Sequence, residues 1–374
     1  MTNPPPPGWE PPHQGPQHPF GRQPQHEFGR TPVPPGWPQP PAPAKNNGLK
    51  WSLITVAILL VIAISVGATL LFTRDGNAGH TPNGADTAAN GFASIRDSGP
   101  VRVITEDPSC APSRPILDTL SKQESQGWHT RDPSIPASSW TATERATHEA
   151  VAAAMRRAAD QSVALAKMTT NRVMRELYEQ SIAYWRAYAD SVPTYRPIDN
   201  ELARVATASS SAIVAICAAV NNRSAAARSP LVKQAAPPSI PSEPLATENP
   251  TMFMDSEANS KCDDWKDRLD QFDVDAASWF SLDANIPASE WTPEQRSSME
   301  HIASVMSKYA EDLERIGKDS GSAIFDDFAN LAGQYWRAFV EAIPSYTTDD
   351  SYLSSAASQA GFILYNACAY SDGK

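Results

Sequence analysis

The chain is 374 residues long, with 34 prolines, 41% hydrophobic residues and a formal net charge of −11. Such an acidic balance excludes the basic footprint of a nucleic-acid binder and offers no electrostatic attraction to anionic lipid. The length suits two or three ordinary domains, but the composition is so uneven that each segment needs its own reading.

Sixteen of the prolines fall within the first 44 residues. A segment of that kind cannot bury enough apolar surface to offset its ordering entropy, so residues 1–48 are expected to form a disordered tail. Pro4–Pro12 reads PPPPGWEPP and is echoed by PPGWPQPP at Pro34–Pro41. These runs favour polyproline II, an extended form that aromatic-lined grooves grip. They read first as a solvated spacer and second as a docking strip for a cytoplasmic partner, with Trp9 and Trp37 as anchors.

Trp51–Phe72 is a run of 22 uncharged residues bounded by Lys50 and Arg74. As a helix it spans a hydrocarbon core of roughly 30 Å, and no buried helix of a soluble protein needs to be apolar on every face. A cleaved signal peptide would have a core of about 7–15 residues ending in small residues. Here 50 residues precede a longer core that ends Thr69-Leu70-Leu71-Phe72, so a single uncleaved transmembrane helix is expected over 49–73. Lys45 and Lys50 outweigh Arg74, which has Asp75 beside it. That asymmetry places the N-terminus in the cytoplasm and the remainder outside the plasma membrane. All four cysteines follow the span, as thiols destined for an oxidising compartment should. Residues 74–107, rich in Gly, Asn, Ala and Thr, are expected to form a flexible stalk.

Beyond the stalk the sequence repeats itself. Residues 128–217 align with 279–368 at an offset of 151, with 24 of 90 positions identical. Ile135-Pro136-Ala137-Ser138-x-Trp140-Thr141 matches Ile286-Pro287-Ala288-Ser289-x-Trp291-Thr292, and Tyr184-Trp185-Arg186-Ala187 matches Tyr335-Trp336-Arg337-Ala338. Cys217 matches Cys368, whereas Cys110 and Cys262 differ by 152, so one residue has been gained or lost upstream. This is duplication of a domain-sized unit.

Each unit reads as four helices. In the second, the stripes are Trp265/Leu269/Phe272/Ala276/Trp279, Ile302/Met306/Tyr309/Leu313/Ile316, Phe325/Phe328/Ala332/Tyr335/Phe339/Ala342 and Leu353/Ala357/Ala360/Leu364. Spacing by three or four marks one helix face in every case. Thr141 with Glu144 and Thr292 with Gln295 form capping boxes, and Pro193 and Pro344 close the third helices. The expected fold is all-α: one transmembrane helix, then two tandem antiparallel four-helix-bundle-like domains at 108–220 and 261–371. A Pro-containing linker at 221–260 would let the bundles move within limits. Four antiparallel helices return the end of the fourth to the start of the first, which selects the disulfides Cys110–Cys217 and Cys262–Cys368.

The search for chemistry is negative. The chain lacks H-E-x-x-H, G-x-S-x-G, G-x-x-x-x-G-K-[ST] and C-x-x-C, and its histidines have no partners at helical spacing. No catalytic residue, metal site or cofactor is expected, and no enzyme. The nearest thing to a site is Tyr184/Trp185/Arg186 and Tyr335/Trp336/Arg337. Either Trp fills a helix seam while Arg pairs with an acid such as Glu149 or Glu300, or the triplets line an aromatic–guanidinium groove. The loops flanked by Trp128 and Trp140, and by Trp279 and Trp291, read as covers over the open bundle ends, with glycan or peptide binding as the second reading.

The PPPPGW-type tail, single anchor and Ala-rich ectodomain, with the I-P-A-S-x-W-T and Y-W-R-A repeat unit, resemble uncharacterised actinobacterial, especially mycobacterial, single-pass membrane proteins. The resemblance implies a plasma-membrane protein of the cell envelope. The leading expectation is a non-enzymatic module whose duplicated domain binds a protein or envelope polymer. The alternative is an extracytoplasmic small-ligand sensor.

Overall fold

The computed structural model describes residues 91–238, 241–244, 249–255 and 258–373. All of them belong to one compact unit, Asn83–Lys374. Trp9, Trp37 and the apolar run Trp51–Phe72 lie outside the described residues, which are helical and irregular and contain no strand.

The helices begin and end where local chemistry dictates. In the first half they are α1 (Cys110–Glu124), α2 (Ala142–Met168), α3 (Arg172–Ser191) and α4 (Asn200–Asn221), followed by a short α5 (Ser224–Arg228). The second half holds α6 (Cys262–Asp275), α7 (Pro293–Asp319), α8 (Ala323–Ala342) and α9 (Ser351–Asp372). Both expected capping boxes form, at Thr141/Glu144 and Thr292/Gln295. Asn171 and Ser322 cap the third helices through their side chains. The last turns tighten to 3-10 geometry at Val192–Thr194 and Ile343–Ser345, where Pro193 and Pro344 stop the α-helical ladder.

Within each half every helix packs on the next and the fourth returns to the first. The cysteines therefore meet: Cys110–Cys217 and Cys262–Cys368 are both bonded, as expected, with Cα atoms 5.3 Å apart in each. All the apolar positions of the second, third and fourth stripes are buried. The two halves join chiefly along α4 and α9. The stretch Pro197–Asn221 is long and apolar enough to cross a membrane, but 61% of its apolar window is buried in the protein. It is a core helix, pressed between its own half and α9.

The third helices sit at the centre. Every residue from Arg172 to Trp185 is buried, as is every residue from Asp327 to Trp336. A helix enclosed on all faces needs neighbours on all faces, and here the irregular segments supply them. Residues 92–107, grouped above with the flexible stalk, are instead packed, burying Phe92, Val101, Val103 and Ile104. The linker is likewise held down rather than free: Arg228 pairs with Asp350, Lys233 O accepts from Gln334, and Phe253 N donates to Gln180. Apolar side chains of the first segment and polar groups of the second find partners on the helices, which holds both in place.

Close approach of α7 and α8 depends on Gly317, where a Cβ would stand 2.4 Å from the Ala329 Cβ. Gly361 on α9 is roomier, with Leu269 Cδ2 at 3.6 Å. The two Gly→Ala changes should therefore differ in sign. At Gly361, alanine gains up to about 1 kcal/mol from helix propensity. At Gly317, overpacking of about 1–3 kcal/mol outweighs that gain. Denaturant midpoints of the two variants check this, and a raised midpoint for Gly317→Ala would show that the helices separate freely.

Candidate functional site

The Tyr-Trp-Arg triplets lie on the outer half of α3 and α8, and each of their side chains does something different. Trp185 and Trp336 are 1% and 2% exposed. Trp336 sits among Phe272, Trp279, Tyr309 and Phe339, inside its own half. Arg186 reaches Asp160 at 2.7 Å and Asn249 at 2.8 Å, and Arg337 reaches Glu314 at 2.8 Å. These acids lie on the second helices, further along than Glu149 and Glu300, which face elsewhere. In both triplets the indole is enclosed and the partly exposed guanidinium is paired with an acid.

The tyrosines reach out of their own half. Tyr184 Oη donates to the Met254 carbonyl at 3.0 Å, on the segment leading into the second half. Tyr335 Oη accepts from Ile104 N at 3.2 Å, on the segment leading into the first. Each half thus holds down the lead-in of the other. Burial pushes both phenols far above their ordinary titration range, so both remain neutral hydrogen-bonding groups.

Between these clamps lies a buried charge network. Arg172 makes a two-pronged pair with Asp327 across the halves, both contacts at 2.8 Å. Its backbone N–H binds Asp97 Oδ2 at 2.7 Å, and its guanidinium also donates to the carbonyls of Asp97 and Gly99. Arg175, one helical turn on, donates to Ser242 O and Oγ in the linker and lies 3.6 Å from Glu176 and Glu179. Ser242 Oγ also donates to Glu176. Burial, reinforced by the Asp327 carboxylate, raises Glu176 well above the usual carboxylate range. One spot therefore ties together α3, α8, the first lead-in and the linker.

Sequence reasoning missed this network. It placed the tyrosines correctly on the core stripe, yet gave no hint that they clamp another segment. A signal was present: none of the ten positions 168–177 is identical to its counterpart in 319–328, a gap inside an otherwise matching repeat. At the offset of 151 Arg172 matches Ala323 and Asp327 matches Glu176, so the Arg172–Asp327 pair has no equivalent in the reverse direction.

The arrangement fastens the two halves to each other and to both lead-ins. A cavity of about 10 Å3 beside Glu179, lined also by Phe92, Val163 and Lys167, has room for one water. Among the described residues no group of three or more His, Cys, Asp or Glu is placed to hold a metal ion.

An uncharacterised protein of Mycolicibacterium smegmatis (strain MKD8) is 42% identical over 372 residues, covering 98% of this chain and 96% of that relative. No solved structure matches the chain. The family model for the mycobacterial ESX-1 associated protein matches residues 92–372, a span that opens at Phe92, where the packed lead-in begins. The chain belongs to the mycobacterial ESX-1 associated protein family.

Proposed function

We propose that this is a non-enzymatic envelope protein, anchored by the run 49–73, whose duplicated four-helix domain outside the plasma membrane binds a protein partner of the ESX-1 system. The carrying observation is the fastening itself. Both third helices are sealed, their aromatic and basic groups consumed by packing, so the domain offers its outer surface to others. Two bonded cysteine pairs suit an oxidising compartment, which agrees with an exported domain. Membership of an ESX-1 associated family supports a secretion-related partner over a wall polymer. The small-ligand sensor is the weaker reading, since Trp185 and Trp336 are enclosed.

The test is photo-crosslinking in intact cells, with the reactive residue at Val214 or Val274, which are 52% and 71% exposed, and at Trp185 as a buried control. A discrete protein adduct at an exposed position, lost in a strain without ESX-1, is the expected result. Adducts unchanged by the loss of ESX-1, or none at either exposed position, would sink the reading.

A further inference from the structure

The chain carries its own internal control at the Trp-flanked bundle ends. In the second half this end is apolar: Ala276, Phe280, Leu282, Met299 and Phe339 pack under Trp279 and Trp291. In the first half the same places hold Glu124, His129, Arg131, His148 and Tyr188. Hydrogen bonds fix the correspondence at the helix end, because the Glu124 carbonyl accepts from Trp128 N and His129 N as the Ala276 carbonyl accepts from Trp279 N and Phe280 N. The remaining four pairs follow from the offset of 151. The fold is thus satisfied by an apolar set, and the polar set answers to something else.

The polar groups form one connected cluster that holds the loop. Trp128 Nε1 donates to Tyr188 Oη at 2.9 Å, and Tyr188 Oη meets His148 Nδ1 at 3.0 Å. The hydroxyl accepts from Trp128, and the direction of its bond to His148 Nδ1 is set by the ring's tautomer. His148 stacks on Trp140 at 3.8 Å, and Trp140 Nε1 donates to the Ile135 carbonyl within the loop. Arg131 lies 3.5 Å over the Trp128 ring and donates to Trp128 O and Asn200 Oδ1. Glu124 is 10% exposed at the centre, and its Oε2 stands 3.9 Å from Nε2 of His129, which is 42% exposed. The buried carboxyl therefore has an ionisable neighbour that is open to water.

We propose that this end of the first half is a proton-operated latch, in which loss of the Glu124 proton loosens the loop between Trp128 and Trp140. The charges facing Glu124 are Arg131 and His129 from the loop and Tyr188 from α3, while His148 from α2 and Tyr195 after α3 face Arg131. Asp132, Glu144, Arg145, Asp199 and Glu201 lie around the cluster's edge. Desolvation raises Glu124 to about 7 against the lowering pull of Arg131, so its proton leaves near neutrality. Desolvation, with repulsion from Arg131, lowers His148 to about 4, so that ring stays neutral throughout. Glu124 is raised in the folded state, so its contribution is complete below the unfolded value of 4.5 and is lost as pH rises through about 7. His148 is lowered and works the other way, losing its contribution as pH falls from 6.5 towards 4. The loop is held best in the mildly acidic range between. This latch stands apart from the choice of partner above.

The test is hydrogen exchange of the full-length protein, comparing the peptide 125–141 with 277–292 in the same molecule, so that the intrinsic pH dependence of exchange cancels. From pH 6 to pH 8 the protection of the first loop relative to the second should fall roughly tenfold further in the unaltered protein than in Glu124→Gln, the ratio that linkage gives for a carboxyl moved from 4.5 to about 7, the opposing change from His148 being common to both. Glu124→Gln, or Glu124→Ala with the side chain of the second half, should abolish that fall and leave only the rise with pH that His148 contributes. The same pH dependence in the unaltered protein and in Glu124→Gln overturns the proposal. So does a tenfold fall that persists in either folded variant.

Discussion

Replacing Arg172 by methionine should lower the stability of the folded domain by about 3–5 kcal/mol, the usual consequence of removing one partner of a buried ion pair. The Asp327 side chain is 1% exposed and would be left charged and unpaired. Asp97 and Gly99 would lose the guanidinium that holds their carbonyls, so the lead-in should also detach. Equilibrium unfolding reads the first effect, and limited proteolysis between residues 92 and 107 reads the second. The double variant Arg172→Met/Asp327→Leu should recover most of the loss, because an apolar pair of similar size is often as stable as the buried ions it replaces. A loss below about 1 kcal/mol in the single variant would mean that water reaches Asp327 and that the pair does not fasten the halves.

Removing one disulfide, by Cys110→Ser with Cys217→Ser, should lower stability by on the order of 4 kcal/mol under the chain-entropy account. The two bonds close almost equal spans, 107 and 106 residues, so that account gives the same loss for Cys262→Ser with Cys368→Ser. Any gap between the two variants then reports native packing alone. Cys368 is fully buried while Cys217 is 6% exposed, so the second pair should be the costlier to replace with hydroxyls. Thermal or chemical unfolding of both variants decides it. Equal losses would assign the effect to the unfolded chain, and a larger loss at Cys110/Cys217 would contradict the burial argument.

The helices and disulfides were legible in the sequence because they follow from periodicity. Ile302, Met306, Tyr309, Leu313 and Ile316 share a face by spacing alone, and four antiparallel helices bring Cys262 to Cys368. The paths of residues 92–107 and of the linker were not legible. Irregular backbone has no period, and glycine and proline suggested freedom where Val101, Ile104 and Met254 are in fact buried. The triplets were half legible: Tyr335 was expected on the core stripe and is buried there, but the Tyr335–Ile104 contact joins residues 231 apart. The first half's Glu124, His148 and Tyr188 gave no signal singly. Set beside Ala276, Met299 and Phe339, they do, once the one-residue offset in the first helix is placed.

The crossed lead-ins have a consequence for the order in which this protein can be made. A chain is synthesised from its N-terminus, and Ile104 is complete long before the tyrosine that holds it, 231 residues later, exists. Arg172 likewise waits for Asp327. The first half cannot reach its final form and then stand by for the second; each needs the other's clasp. Folding is therefore settled only after almost the whole chain has emerged, and a product cut short before Tyr335 would lack the seat for its own beginning.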